Sequence, residues 1–547
     1  VDYHEALSKQ RQTYAQTSGF YGWVRDHRRL SLWVSFLLVA LAVELPFLLN
    51  NQLFGGWDQQ FHVNRIEELY LAAKNGMWHN AISTYTFRGA GLGIQIFYPY
   101  VFLYPYALLR LIGVPGILAL HLGNMFYIVL SSWFSYWCMQ KFLTLRQSLR
   151  PIQGAWLFAV LYNLSGYMVF NETVRFDLPE AQSMMWYPIL FLGVYMILTG
   201  AKRGWLPASI GAIMLTYTHV LSALLAAGMV VLVVLIGWRR LNKWQVWRDL
   251  MLTGLITGLV SLPELLVMLK TTSTIKVATP FIGSLARQAI TPPVAVGYGL
   301  ANITKTHLLT HGVTLGTIVL VALIALWVGF RRLDGFGKML TVLSTVLFWA
   351  TTSLFPWFLF EHTPVNVIQH PWRLYTFISL FVLVAVVSLA ERIELQFKWQ
   401  TVILSVALLL TIVTSGAYVA MAKAKVTPAT YHHFATSARY FDYAPQSSVK
   451  HLHSIYQHEA IIKTPAGQEK RIHVKQQPLP NGIKVTVPKQ AQGGRIDLPL
   501  FNYGGGYEVK AQSGQQLTAK LSKRGTIQVM VPKYTQTLTV HYHNGLW

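Results

Sequence analysis

The stretch Gly55-Gly56-Trp57-Asp58-Gln59-Gln60-Phe61-His62 sets a carboxylate four residues before an imidazole, and Arg65 follows three residues later. Spacings of three and four align on an α-helix, so a helix beginning near 58 puts Asp58, His62, Arg65 and Leu69 on one face. A carboxylate beside an imidazole and a guanidinium is equipped for proton transfer and for holding an anion. The plain structural reading of the same residues is an N-capping Asp58 and a hydrogen-bonded interfacial His62. Further ionisable candidates are Arg88, the run Arg175-Phe176-Asp177-Leu178-Pro179-Glu180, Glu264, and Arg373 behind Pro371-Trp372. Glu172 joins them, as do Glu44, His219 and His370 at the edges of apolar runs.

These groups must be carried by membrane-spanning helices. Of 547 residues 53% are hydrophobic and 12% charged, and the apolar residues come in blocks close to the roughly 20 residues that cross a bilayer as a helix. About eleven spans are expected, at 32–50, 117–140, 153–170, 185–200, 205–218, 220–238, 251–269, 312–330, 339–360, 374–390 and 401–420. The run 32–49 has no small-residue cleavage pattern behind it and reads as a retained span. The segment 96–111 is apolar but broken by Pro99 and Pro105. It reads as interfacial or re-entrant, with Tyr98, Tyr100, Tyr104 and Tyr106 in the headgroup layer.

Charge sets the orientation. Lys plus Arg minus Asp plus Glu is 45 − 21 = +24, and basic clusters such as Arg28-Arg29, Lys202-Arg203, Arg239-Arg240 and Arg331-Arg332 abut apolar runs. The positive-inside rule places them in the cytoplasm, together with the N-terminus, and leaves no reason to invoke nucleic acid. An odd number of crossings then puts everything after about 421 outside. The single Cys138 excludes an internal disulfide and a cysteine metal cluster.

The chain changes character at that point. Alternating stretches such as 482–488 and 526–532, punctuated by Gly and Pro, read as strands of a β-sandwich. The expected organisation is therefore a polytopic helical domain over 1–420, with its first outer loop at 51–116, and an extracytoplasmic β-rich domain over 421–547. The second domain carries 16 − 5 = +11, which suits an anionic neighbour such as lipid headgroups or a phosphate-rich polymer, or simply a soluble basic surface. The ionisable candidates gather at the outer face and leave the mid-membrane level nearly empty. A transporter would more naturally place them at the midplane.

The run Trp57-Asp58-x-x-Phe61-His62-x-x-Arg65-Ile66, followed by Gly76, Arg88-Gly-Ala-Gly91 and Phe97-Tyr98-Pro99, resembles the first outer loop of bacterial GT-C-fold glycosyltransferase-like membrane proteins, particularly the YfhO-like group. Leu178-Pro179-Glu180 with Trp186-Tyr187-Pro188, the run Ile368-Gln369-His370-Pro371-Trp372-Arg373, and Leu498-Pro-Leu-Phe-Asn-Tyr-Gly-Gly-Gly-Tyr507 fit the same resemblance. His370 departs from it, since an aromatic residue is more usual there. The resemblance implies an enzyme that moves a sugar from a polyprenyl-phosphate carrier to an extracytoplasmic acceptor hydroxyl, on a cell-envelope glycan, teichoic acid or glycolipid. It carries the reaction-centre aspartate onto Asp58 and the second acidic site onto Asp177 or Glu180. His62, Arg65, Arg88, Tyr98 and Glu264 join as substrate-binding candidates. Arg175 and Arg373 would hold the lipid phosphate by bidentate contact. The sequence leaves room for a divalent metal without a ligand set that demands one. Two other classes stay open: a non-catalytic envelope or scaffold protein, and an exporter of lipid-linked glycans.

Overall fold

The computed structural model describes residues 20–280, 283–300, 313–422 and 425–543. Among them six helices are long and apolar enough to cross a membrane: Arg28–Asn50, Gly116–Leu145, Leu178–Thr199, Trp244–Thr274, Pro371–Arg392 and Phe397–Ala420. Shorter helices, Pro151–Asn163, Trp205–Thr218, Val220–Ile236, Thr317–Val328 and Gly335–Ala350, lie between them in the chain. Residue 312, where one span was expected to start, lies outside the described residues.

Burial separates the bundle core from its lipid face. The apolar windows of Leu178–Thr199 and Pro371–Arg392 are 83% buried, whereas that of Trp244–Thr274 is 17% buried. A helix that is apolar all round yet exposed, as Leu255, Leu259 and Leu269 are, is suited to face hydrocarbon. Small residues permit the closest approach inside the bundle. A Cβ on Gly193 would lie 2.2 Å from the Ala208 nitrogen, so two neighbouring helices pack backbone to backbone there. The basic loops meet at one end: Arg146 pairs with Asp334, and Leu149 N donates to Glu391 Oε1 at 2.8 Å.

At the other end the first long loop is folded around a buried carboxylate. Glu68, on the helix Gln59–Lys74, accepts hydrogen bonds from the backbone of Thr84, Tyr85 and Thr86 and from the Thr86 and Asn80 side chains, at 2.7–3.0 Å. The segment 96–111 forms no single long helix. It is divided among the short helices Ile94–Phe97, Val101–Leu103 and Tyr104–Leu111, each shorter than the six long ones. The headgroup placement of its tyrosines is corrected in part. Tyr106 is wholly buried in protein, donating to Asn124 Oδ1 at 2.8 Å and accepting from Gln182 at 2.6 Å. The bundle supplies those polar partners, so the ring has no need of the interface.

Beyond the last helix, Lys425–Val426 pairs antiparallel with Leu53–Phe54, and the helix Pro428–Thr436 lies on Gln59–Lys74, with Tyr431 donating to Glu67 at 2.8 Å. Two five-stranded antiparallel sheets follow. One runs Lys520–Leu521, Thr526–Met530, Arg495–Phe501, Glu459–Lys463, Glu469–His473; the other runs Gln476–Leu479, Gly482–Thr486, Thr537–Tyr542, Tyr507–Ala511, Gln516–Leu517. Alternation explains the sandwich. In Thr537–Tyr542 every second residue is buried, and Ile462, Ile496, Val485 and Val540 from both sheets fill one core. The sandwich rests on the first loop, where Phe501 N donates to Ala90 O and Gly93 N to the Tyr503 hydroxyl, at 2.9 and 2.8 Å.

Candidate active site

Asp58 occupies the N-cap position of Gln59–Lys74, yet its side chain makes no capping hydrogen bond. The carboxylate turns instead toward Arg175, with Oδ2 3.5 Å from Nε. Backbone contact fixes this approach, because Asp58 N donates to Arg175 O at 2.9 Å. Gly56 is what allows it: a Cβ there would sit 2.9 Å from the Phe176 Cβ and 3.0 Å from Val174 O. Phe176 adopts φ +57°, a costly conformation for an aromatic residue and one that marks an over-determined turn.

Arg175 is the hub. Its Nη2 lies 2.6 Å from Asp177, its Nη1 2.7 Å from Glu180 and 3.1 Å from Asn171 Oδ1, and its guanidinium lies 4.9 Å from the Trp372 ring centre. Glu180 reaches across to Arg373 Nε at 2.9 Å and accepts the Tyr167 hydroxyl. Arg373 Nη1 donates to Ile368 O at 3.0 Å and Gln369 Oε1 at 2.6 Å. The fork of Arg373 is thus turned onto the protein, and of its nitrogens Nη2 takes no hydrogen bond with the described residues. Asp177 caps the helix Leu178–Ser183 through Glu180 N.

The electrostatics leave one group near neutrality. Burial pushes the Asp58 carboxyl up to about 7, Arg175 and Arg373 pull it down, and Asp177 and Glu180 push it up. Protein surrounds it on nearly every side, yet 41% of the side chain opens to the cleft, so water there tempers the rise. Burial alone would lower Arg175, but Asp177 and Glu180 outweigh it and hold the guanidinium well above its ordinary range. Burial and then Arg65 hold His62 far down; burial and then Arg373 bring His370 to about 3. Both shifts favour the neutral imidazole and so weaken the 3.7 Å approach of His62 Nε2 to Asp177 as an ion pair.

These residues face a cleft of about 460 Å³ on the sandwich side of the bundle. Of the residues singled out from the sequence, Asp58, His62, Tyr98, Arg175, Asp177 and Arg373 line it. Glu180 lies behind, joining the two arginines. Arg65 lies under Tyr98, 4.4 Å from that ring centre, and donates to Tyr98 O at 3.0 Å and Pro99 O at 2.6 Å. Arg88 and Glu264 do not line the cleft: Arg88 Nη1 is 3.5 Å from Tyr456 O against the sandwich, and Glu264 is buried on Trp244–Thr274. Sequence reasoning missed Gln369, Tyr440, Asp442 and Tyr443, and it gave His219 and His370 no place among the site residues. The clustering of three aromatics and an acid at 440–443, just ahead of the strands, was the available signal. Among the described residues no group of three or more His, Cys, Asp and Glu is placed to hold a metal. Between Asp58, Asp177 and Glu180 the cation is the Arg175 guanidinium, so these residues do not fit a metal ion.

Arg373→Lys checks the bridging role. A single ammonium cannot span Glu180, Ile368 O and Gln369 together, so thermal stability in detergent should fall; a Tm equal to wild type would show the bridge to be dispensable.

An apolar helical bundle with six helices of spanning length and a β-sandwich seated on its first loop define a multi-pass membrane protein, and the carboxylate–arginine cleft lies in its helical part and the segment that leads to the sandwich. No protein-family profile matches the chain, and no curated protein does. Similar solved structures include the arabinofuranosyltransferase AftD from Mycobacteria, at TM-score 0.44 and 15% identity over 74% of this chain and 27% of that one. They also include ArnT from Cupriavidus metallidurans bound to undecaprenyl phosphate, at TM-score 0.41 and 11% identity over 76% of this chain and 78% of that one. The chain thus spans about a quarter of the length of AftD.

Proposed function

We propose that this protein is a membrane glycosyltransferase that transfers a sugar from a polyprenyl-phosphate-linked donor to an acceptor hydroxyl outside the cytoplasm. The observation that carries the reading is Asp58, a carboxylate that caps no helix and opens into a cleft also bordered by Val220, Leu221, Leu224 and Val367. Leu224 is 53% and Val367 41% exposed, so an isoprenoid tail can lie along this apolar side while its phosphate meets the polar wall. In the reaction the acceptor oxygen attacks the anomeric carbon and gives its proton to Asp58. The bond from that carbon to the lipid phosphate breaks, and its electron pair leaves with the phosphate oxygen. A positioned base is worth about 10²–10⁴-fold for such a step. Arg373 and Arg175 stabilise the charge that develops on the leaving phosphate, Arg373 Nη2 being the donor left available. Arg65 acts through Tyr98, whose carbonyl and ring it holds.

The acceptor belongs to a cell-envelope glycan, teichoic acid or glycolipid, and the +11 charge after 421 favours an anionic surface near the sandwich. The test is reconstitution of the full chain in vesicles with a panel of polyprenyl-phosphate sugars. Release of polyprenyl phosphate from at least one donor is expected. Binding of donors without cleavage of any would return the protein to the exporter or scaffold class.

Orientation has its own check. Single cysteines placed in 141–150 and 239–248 should react with an impermeant maleimide only after permeabilisation, and cysteines in 450–540 should react in intact cells. Labelling of 141–150 in intact cells would reverse the orientation.

A further inference from the structure

Part of the cleft wall comes from the segment between the last helix and the sandwich, through Tyr440, Asp442 and Tyr443. It is held rigidly. Tyr456 donates its hydroxyl to Tyr440 O at 2.6 Å and lies 3.3 Å from Tyr440 N, while Tyr443 N and Ala444 O pair with Ala278 at 2.8 Å. Tyr443 is fixed at φ +64°, an unfavourable conformation for a tyrosine that persists only where its surroundings impose it. Its ring stacks on Phe97 with centroids 5.5 Å apart, and the Tyr440 ring meets Phe61 edge-on at 4.8 Å.

Asp442, between Tyr440 and Tyr443 in the chain, also lines the cleft, and its Oδ1 is buried with no hydrogen-bond partner among the described residues. A buried acceptor without a donor is costly, which makes it a place for a ligand's hydroxyl. Trp57, 40% exposed, adds a third aromatic face beside Asp58. Burial, Asp58 and Asp442 together push the Tyr440 hydroxyl up to about 12, so that ring lies in the field of both carboxylates. Flat aromatic faces with an acceptor in the same cleft match a sugar ring, which has C–H faces and a rim of hydroxyl donors. The cleft therefore offers leucines and valines as well as a set of aromatics with a carboxylate.

We propose that Trp57, Tyr440, Asp442 and Tyr443 form the acceptor subsite, which takes a neutral saccharide unit and presents one of its hydroxyls to Asp58. The proposal rests on the glycosyl-transfer reading, and the test separates the two. Purified full-length protein in detergent is probed by saturation-transfer NMR with a mixture of methyl glycosides of common hexoses and N-acetylhexosamines, and separately with farnesyl phosphate. At least one glycoside should be saturated by the wild type. Asp442→Asn and Tyr440→Leu, neither of which removes a hydrogen bond among the described residues, should each weaken that signal several-fold and leave farnesyl phosphate binding unchanged. Trp57→Ala should abolish it.

Farnesyl phosphate binding with no glycoside signal, or a glycoside signal indifferent to all three substitutions, would overturn the subsite and leave the lipid-donor reading standing. Glycoside binding lost in these variants, with no farnesyl phosphate binding to the wild type, would support the subsite and count against the lipid donor. In a transfer assay the same variants should raise the acceptor KM several-fold more than the donor KM. An equal rise of both would also overturn it.

Discussion

Asp58→Asn is expected to fold normally and to lose at least about a hundredfold of sugar transfer, a typical share for a positioned general base. Folding is safe because the side chain makes no capping hydrogen bond and Arg175, with which it pairs at 3.5 Å, retains Asp177 and Glu180. The amide keeps size and polarity but cannot take a proton from an acceptor hydroxyl. The pH profile should agree. With the carboxyl pushed up to about 7, the base is deprotonated above that value and protonated below it, so kcat/KM should fall as pH drops through about 7 and level off above it. Asp58→Glu, which restores a carboxylate at a displaced position, should recover part of the rate. Full activity in a correctly folded Asp58→Asn would reduce the residue to packing against Arg175.

The largest structural effect is expected from Glu180→Gln. Glu180 is 2% exposed and joins Arg175, Arg373 and Tyr167 in one buried arrangement. Removing its charge leaves two buried guanidiniums with less than the anion they are set against, and breaking a buried ion pair from one side costs about 3–5 kcal/mol. Thermal unfolding of the detergent-purified variant should show a clear loss of Tm, and transfer should fall with it, because Arg175 loses one of the anchors that holds it beside Asp58. Glu180→Asp keeps the charge and should rescue part of the stability. An unchanged Tm in Glu180→Gln would mean that Asp177 alone neutralises the pair.

The spans were legible because the bilayer imposes one length and one composition, which blocks such as 32–50 and 401–420 display in a single line of sequence. The strands around 482–488 and 526–532 were legible because alternation has only one structural solution at that spacing. The pairing of Asp58, Arg175, Glu180 and Arg373 was not. Glu180 and Arg373 stand 193 residues apart, and no periodicity records which loops a bundle brings together. The rim at 440–443 was hidden for a related reason. Its place follows from the helix Pro428–Thr436 lying on Gln59–Lys74, where Asn64 takes hold of Phe434 O at 2.9 Å, a contact between segments that local patterns treat as strangers. Asp58 itself shows the limit from the other side: its residue type fits a helix cap, and only the geometry shows the carboxylate turned to Arg175.

The most direct measurement is an experimental structure of the full chain with a non-cleavable polyprenyl-phosphonate sugar. The expected result places the isoprenoid tail along Leu221 and Leu224, the phosphonate within hydrogen-bond reach of Arg373 Nη2, and the anomeric carbon facing Asp58 with room for an acceptor oxygen between them. A phosphonate lodged away from Arg373, or a sugar turned from Asp58 with no path for an attacking hydroxyl, would contradict it.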